Sequence, residues 1–168
     1  ILAPPQGNGR VVVVQTYDGK LQGLDHASGS VLWTYDSNVP VLTVRGTSSP
    51  VMHNDRVYAG FANGRVLAFD AQTGDIAWEV RVAISQGRSE IERLVDIDGT
   101  MVLSGSELYA ASYQGSVVAI DVQSGRKLWQ QKASTFSGVS QGMGNIYVAD
   151  EDGTVNAYLR DGQGLNWT

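Results

Sequence analysis

The chain has 168 residues, enough for one domain with a real core, and its 42% apolar and 17% charged residues describe a globular protein, not a disordered one. The net charge is −5 and the basic residues are scattered without a run. That argues against nucleic acid and against a polybasic membrane patch, both of which need concentrated positive charge. With no cysteine there is no disulfide framework, thiolate zinc site or cysteine nucleophile, and no apolar run approaches the roughly 20 residues of a membrane span.

The opening Ile1-Leu-Ala-Pro-Pro5 is too short and too uncharged for a secretory signal. The chain lacks an initiating methionine, and we expect it to be a piece of a longer protein. Val11 to Tyr17 and Lys20 to Asp25 read as two extended runs joined by Asp18-Gly19, a hairpin signal because glycine supplies the positive φ that the tight turn requires. A turn rich in Asp, Ser and Gly follows, then Val31-Leu-Trp33. The same order returns from Val57 through Gly64 and Asp70 to Trp78, and from Leu108 through Gly115 and Asp121 to Trp129. A fourth copy runs from Ile146 through Gly153 to Trp167, with Leu159 where the others carry aspartate.

The ruler is constant: Gly19 to Trp33, Gly64 to Trp78, Gly115 to Trp129 and Gly153 to Trp167 each span 14 residues. The tryptophans themselves are 45, 51 and 38 residues apart, so the variation falls in the connections between units. A further short strand before each hairpin, clearest at Ser49-Pro-Val-Met52, makes four strands per unit of about 40 residues, the mark of a β-propeller blade. The expected units are 1–35, 47–82, 99–131 and 137–168, forming one partial propeller domain. Each blade must stack on neighbours to bury both faces, which assigns the tryptophans to packing between blades. Four blades are few for a closed ring, so two outcomes are expected at the open edges: missing blades in the natural protein, or self-association of this chain.

Several motifs carry less than they suggest. Asp96-Ile-Asp98-Gly-Thr100 has the form of a phosphatase nucleophile loop, but that chemistry needs an α/β sheet that the strand repeat does not offer. Asp150-Glu-Asp152-Gly lacks the remaining oxygen ligands of a calcium loop and reads as a hairpin turn. His26 and His53 stand alone, without metal-ligand spacing. No Ser/His/Asp arrangement motivates nucleophilic catalysis, so no catalytic residue, metal or cofactor is assigned. Asp25, Asp70 and Asp121 each precede a turn whose backbone N–H groups their carboxylates can cap.

The connections remain. Ser37 to Gly46 alternates apolar and polar residues and ends on Arg45 beside glycine. Ile84 to Asp98 is the longest connection and mixes both charges with Ile91, Leu94 and Ile97. Aliphatic anchors with arginine and acidic partners on neighbouring blade loops suit a protein-docking rim, although solvated loops with internal ion pairs would share the pattern.

The Ala-x-Asp-x-x-Ser/Thr-Gly-x-x-x-Trp repeat resembles that of the eight-bladed, quinoprotein dehydrogenase-like (PQQ-repeat) propellers. Within that group, Val39-Pro-Val-Leu-Thr-Val-Arg-Gly46 and Ser89-Glu-Ile-Glu-Arg-Leu-Val-Asp-Ile-Asp98 resemble the BamB family, lipoproteins of the outer-membrane β-barrel assembly (BAM) machinery of Gram-negative bacteria. The resemblance covers the whole chain as about four of eight blades. It implies a non-enzymatic scaffold at the periplasmic face of the outer membrane, held there by an N-terminal lipid anchor absent from this chain. Its partner would be the POTRA region of BamA, and through it the BAM complex. The family's docking leucines and arginine fall on Leu42, Val44 and Arg45, with valine where leucine is expected, and its acidic pair falls on Asp96 and Asp98. Arg93 matches the same run and is able to pair with those aspartates instead of the partner. The alternative is a pyrroloquinoline-quinone-dependent dehydrogenase, whose site resembles a calcium held by carboxylates and an amide over a tryptophan floor. An absorbance titration with quinone and calcium separates the two readings.

Overall fold

Among the described residues of the computed structural model (3–16, 18–37, 48–83, 96–97, 99–162 and 164–168), every regular element is a β-strand. Strands β1 (Gln6–Gly7), β2 (Val11–Gln15), β3 (Lys20–Asp25) and β4 (Val31–Asp36) form the first sheet in sequence order. The second holds β5 (Val51–His53), β6 (Arg56–Phe61), β7 (Arg65–Asp70) and β8 (Ile76–Arg81). The third holds β9 (Val102–Ser104), β10 (Glu107–Ala111), β11 (Gly115–Asp121) and β12 (Lys127–Ala133). The fourth holds β13 (Val139–Gly142), β14 (Asn145–Ala149), β15 (Val155–Leu159) and β16 (Leu165–Trp167). Each is an antiparallel meander, which is the propeller-blade arrangement the repeat predicts.

Burial follows from stacking. Successive side chains of a strand point to opposite faces, so a sheet covered on both sides must be apolar at nearly every position. The middle strands of the second sheet meet this condition: Val57, Ala59, Phe61, Leu67 and Phe69 pack toward Val11, Val13 and Leu21 of the first sheet. Their alternate neighbours Tyr58, Val66 and Ala68 pack toward Leu108, Ala110, Val118 and Ile120 of the third. Tyr109, Ala111, Val117 and Ala119 then meet Ile146, Val148 and Tyr158 of the fourth. A one-residue slip of β6 would exchange these two sets of contacts, so the register is tightly specified.

The tryptophan is placed by a bulge. In every sheet the pairing of the third and fourth strands shifts by one residue, after Gly23, Ala68, Ala119 and Ala157, each of which pairs with the repeat's tryptophan. Such a bulge turns the side chain out of the regular alternation. Trp33 Nε1 then donates to the Ala71 carbonyl of the next sheet at 2.9 Å, Trp78 Nε1 to Val122 at 2.9 Å, and Trp129 Nε1 to Arg160 at 2.7 Å. Beneath the indoles lie Gly74, Gly125 and Gly162, at φ of 76°, 72° and 73°. A Cβ at any of them would stand within 2.8 Å of the ring. Here glycine is needed twice, for its backbone and for the ring above it.

Trp167 departs from the expected packing between blades. It lies on Tyr147 of its own sheet (ring centroids 5.9 Å) and is 48% exposed, because no described sheet follows it to offer a carbonyl and a glycine. The hinge glycines of the β2–β3, β6–β7 and β14–β15 turns (Gly19, Gly64 and Gly153) take φ of 79°, 71° and 89°. The third copy differs: Gln114 carries the positive φ of 49° instead, and Gly115 is required by space, since its Cβ would meet Ser112 Oγ at 2.2 Å.

The repeated aspartates cap their turns as expected. Asp25 Oδ1 accepts from Ser28 N–H (2.7 Å) and Oγ–H (2.6 Å), and Asp121 Oδ1 accepts from the same two groups of Ser124 at 2.9 and 2.6 Å. Asp70 Oδ1 accepts from the N–H groups of Gln72 (2.9 Å) and Thr73 (3.1 Å). These bonds favour the charged carboxylate and hold all three below the ordinary aspartate value. Leu159 has no carboxylate, and its turn is closed by Gly162 N–H donating to the Leu159 carbonyl at 3.0 Å.

Candidate docking site

Among the residues expected to meet a partner, Leu42, Val44, Arg45, Arg93 and Asp98 lie outside the described residues. The anchors of their two connections are described. At the start of the first connection, Ser37 donates from N–H (3.3 Å) and Oγ–H (2.8 Å) to the Gly19 carbonyl, in the β2–β3 turn. At its far end Ser48 is buried, and its Oγ accepts from Gly60 N–H at 3.1 Å. At the start of the second connection, Val82 N–H and Ala83 N–H donate to the Gly64 carbonyl in the β6–β7 turn, at 2.8 and 3.3 Å. At its end the Asp96 carbonyl accepts from Tyr113 N–H in the β10–β11 turn at 3.0 Å, and Ile97 N–H donates to the Phe61 carbonyl at 3.4 Å. The described anchors of both connections therefore lie against the second-to-third-strand turns or the last residues of β6 that lead into one, on one end of adjacent sheets.

Gly60 is the node of this end. Ser48 from the first connection and Ile97 from the second both close on it, and Gln15 Nε2 of the first sheet donates to its carbonyl at 2.8 Å. A Cβ at Gly60 would stand 2.5 Å from Ile97 Cγ2 and 2.8 Å from Ser48 Oγ. The sequence did carry a signal for this residue, a glycine inside an otherwise apolar strand run, which marks close approach of other chain segments.

Asp96, expected as one of the acidic pair, is fully buried in this chain. The third connection, Ser134 to Gly138, occupies the same end: Thr135 N–H donates to the Ser112 carbonyl (3.4 Å), Gln114 N–H to Ser134 Oγ (2.9 Å), and Glu151 N–H to the Ser134 carbonyl (3.1 Å). On it Phe136 stacks on Tyr113, with ring centroids 4.4 Å apart and planes 20° apart. Neither ring drew notice in the sequence, because each is a lone aromatic in a polar turn.

Ionised groups flank this end. Asp18 lies below its ordinary value, first through the hydrogen bond from Thr16 Oγ1–H and then through Lys20, whose Nζ is 3.0 Å away. Asp152 is lowered by the N–H of Thr154 at 2.9 Å, within the hairpin turn expected there. The opposite end carries an open cleft of about 400 Å³ between the second and third sheets, lined in part by His53, Arg56, Tyr58 and Gln123. Among the described residues no three His, Cys, Asp or Glu side chains converge as a metal-ligand set.

The family model described as outer membrane protein assembly factor BamB matches residues 1–168. A relative of that description from Pseudomonas aeruginosa is 53% identical over 79% of this chain and 35% of its own length. The crystal structure of BamB from Moraxella catarrhalis superposes with a TM-score of 0.92 at 35% identity, over 99% of this chain and 50% of that one. A quinohemoprotein alcohol dehydrogenase from Pseudomonas putida HK5 superposes with a TM-score of 0.76 at 16% identity, over 98% of this chain and 33% of its own, a likeness of fold alone. The chain thus spans half or less of the length of these proteins.

Proposed function

Because the chain belongs to the family of outer membrane protein assembly factor BamB, we propose that it forms part of a non-enzymatic scaffold at the periplasmic face of the outer membrane. In this reading it binds the POTRA region of BamA and supports folding and insertion of outer-membrane β-barrel proteins. Leu42 and Val44 supply aliphatic anchors, Arg45 meets an acidic group of the partner, and Asp98 completes the rim. Asp96, buried in this chain, is the other member of the acidic pair, with Arg93 as a neighbouring cation able to pair with the acidic residues. The four sheets represent about four of eight blades of the natural propeller.

The observation that supports this most is the common end. The anchors of the two connections that carry the family's docking runs are tied to second-to-third-strand turns of adjacent sheets and to the end of β6, where Ser48 and Ile97 close on Gly60. A rigid end with several neighbouring loops is the usual way a propeller presents a composite binding surface. The deciding experiment is Arg45→Glu in the natural full-length protein, titrated against the periplasmic region of BamA. Reversing a charge in a paired contact removes about 2–5 kcal/mol, or roughly 30-fold or more in Kd. Unchanged affinity with an intact fold would remove Arg45 from the site.

A further inference from the structure

We propose that the cleft between the second and third sheets is a binding site for a carboxylate, held by Arg56 and the Tyr58 hydroxyl. It lies at the end of the sheets opposite the connections, and it does not depend on the docking reading.

The molecule carries its own comparison, one sheet further on. Arg56 pairs with Asp70 as Glu107 pairs with Asp121, and Tyr58 pairs with Ala68 as Tyr109 pairs with Ala119, so β6 and β10 correspond residue for residue. Val122 and Arg160 correspond as well, since each offers its carbonyl to the tryptophan of the preceding sheet. At the junction of the third and fourth sheets Arg160 reaches back across the gap. Its Nη2 donates to Glu107 Oε2 at 2.9 Å and its Nε donates to the Tyr109 hydroxyl at 3.2 Å, while that hydroxyl donates to Glu107 Oε2. A cation from the next sheet thus closes that junction on a tyrosine and a carboxylate.

At the junction of the second and third sheets the tyrosine is kept and both charged positions change. Tyr58 lies against Trp78 with ring centroids 5.7 Å apart, as Tyr109 lies against Trp129 at 5.9 Å. Val122 has no polar side chain to take the role of Arg160, and Arg56 stands where the other junction has Glu107. Tyr58 is 2% exposed and lines the cleft, yet its hydroxyl bonds to none of the described residues. Among the described residues Arg56 has no carboxylate within 4 Å either, and the nearby Asp70 and Asp121 direct an oxygen to the N–H groups of their own turns.

Reversing the wall charge from Glu107 to Arg56 reverses the charge of the group that fits. What Arg160 is to Glu107 and Tyr109, a carboxylate is to Arg56 and Tyr58. Its two oxygens match the guanidinium fork, and one of them accepts from the phenol. Burial raises the Tyr58 hydroxyl above its ordinary value, so it stays a donor at neutral pH. His53, Ser106 and Gln123 also line the cleft, and its volume of about 400 Å³ admits a carboxylate carrying a short carbon chain.

The test titrates the natural full-length protein with sodium butyrate, followed by the NMR signal of the Arg56 Nε–H group and by Trp78 fluorescence. Saturable binding with a Kd on the order of 1 mM is expected, the scale of one charge-assisted pair with one further hydrogen bond. Arg56→Gln should weaken it at least about tenfold and Tyr58→Phe about fivefold, with melting temperature unchanged in Arg56→Gln. Arg56→Glu should exchange the preference, binding ethylguanidinium and no longer butyrate. A capped dipeptide with a free C-terminus, compared with its amide, identifies the source: tighter binding than butyrate by the acid alone assigns a chain terminus, and weaker binding assigns a small free carboxylate. Three results overturn the proposal: no saturable butyrate binding, butyrate binding unaltered in Arg56→Gln, or binding of inorganic phosphate and butyrate with equal affinity, which would make the cleft a general attractor of anions.

Discussion

Gly29 and Gly125 occupy the same position of the repeat and share a left-handed backbone, at φ of 71° and 72°. They differ in what lies above them. Nothing stands within 4 Å of a Cβ at Gly29, whereas a Cβ at Gly125 would lie 2.8 Å from Trp78 Cγ and Cδ2. Alanine at either site must accept the left-handed conformation, which costs about 1–2 kcal/mol for a residue with a Cβ. Alanine at Gly125 must also push back an indole that is stacked on the third sheet and donates to Val122, an overpacking cost of about 1–3 kcal/mol more. Gly29→Ala in this chain should therefore lose about 1–2 kcal/mol and Gly125→Ala about 2–5 kcal/mol. Denaturant unfolding followed by both tryptophan fluorescence and circular dichroism measures each loss, provided the two probes coincide. In a Trp78→Leu background the excess at Gly125 should shrink toward the Gly29 value. Equal losses at Gly29 and Gly125 would refute the reasoning, because strain alone would then explain both.

Trp78→Phe removes the donor to the Val122 carbonyl and should lower stability by about 1–3 kcal/mol, while Trp167→Phe, half-exposed and without an inter-sheet bond, should stay within about 0.5 kcal/mol by the same unfolding assay. Gly60→Ala should cost about 1–3 kcal/mol by crowding Ile97 and Ser48, and should also weaken BamA binding by displacing the ends of both connections; unaltered binding would separate the docking loops from this node. Asp25, Asp70 and Asp121 are held below the ordinary aspartate value, so the stability they contribute is complete above the unfolded value near 3.9 and is lost as pH falls through their lower folded values. The denaturation midpoint should therefore be nearly flat from about pH 7 to 5 and fall below about pH 4, with a shallower fall in Asp121→Asn.

The blade was legible because its signals are local. Asp25, Ser28 and Gly29 form a turn whose bonds close within a few residues, and the constant distance from hinge glycine to tryptophan reports strand lengths that pairing must match. The proposed docking end was legible only as composition and as a family resemblance. Mixed charge and aliphatic residues at 84–98 marked a surface, but the burial of Asp96 could not be read there. The backbone on either side of it is held from elsewhere in the chain, the Asp96 carbonyl by Tyr113 N–H and Ile97 N–H by the Phe61 carbonyl. The stacking of Tyr113 on Phe136 was invisible for the same reason, since the two residues are 23 positions apart and the strands between them bring the two turns together. Trp167 shows the converse. Its sequence position is identical to that of Trp78, yet it is exposed, because packing depends on a neighbour that the repeat alone does not supply.

By itself, then, the sequence determined the strands, the capped turns and the need for blade-on-blade burial, all consequences of side-chain alternation and short-range hydrogen bonds. The tertiary structure alone decided which end the connections share, that Gly60 must lack a side chain to receive both, and which aromatics remain facing water. Those outcomes depend on contacts between residues far apart in the chain, and their geometry exists only once the sheets are stacked.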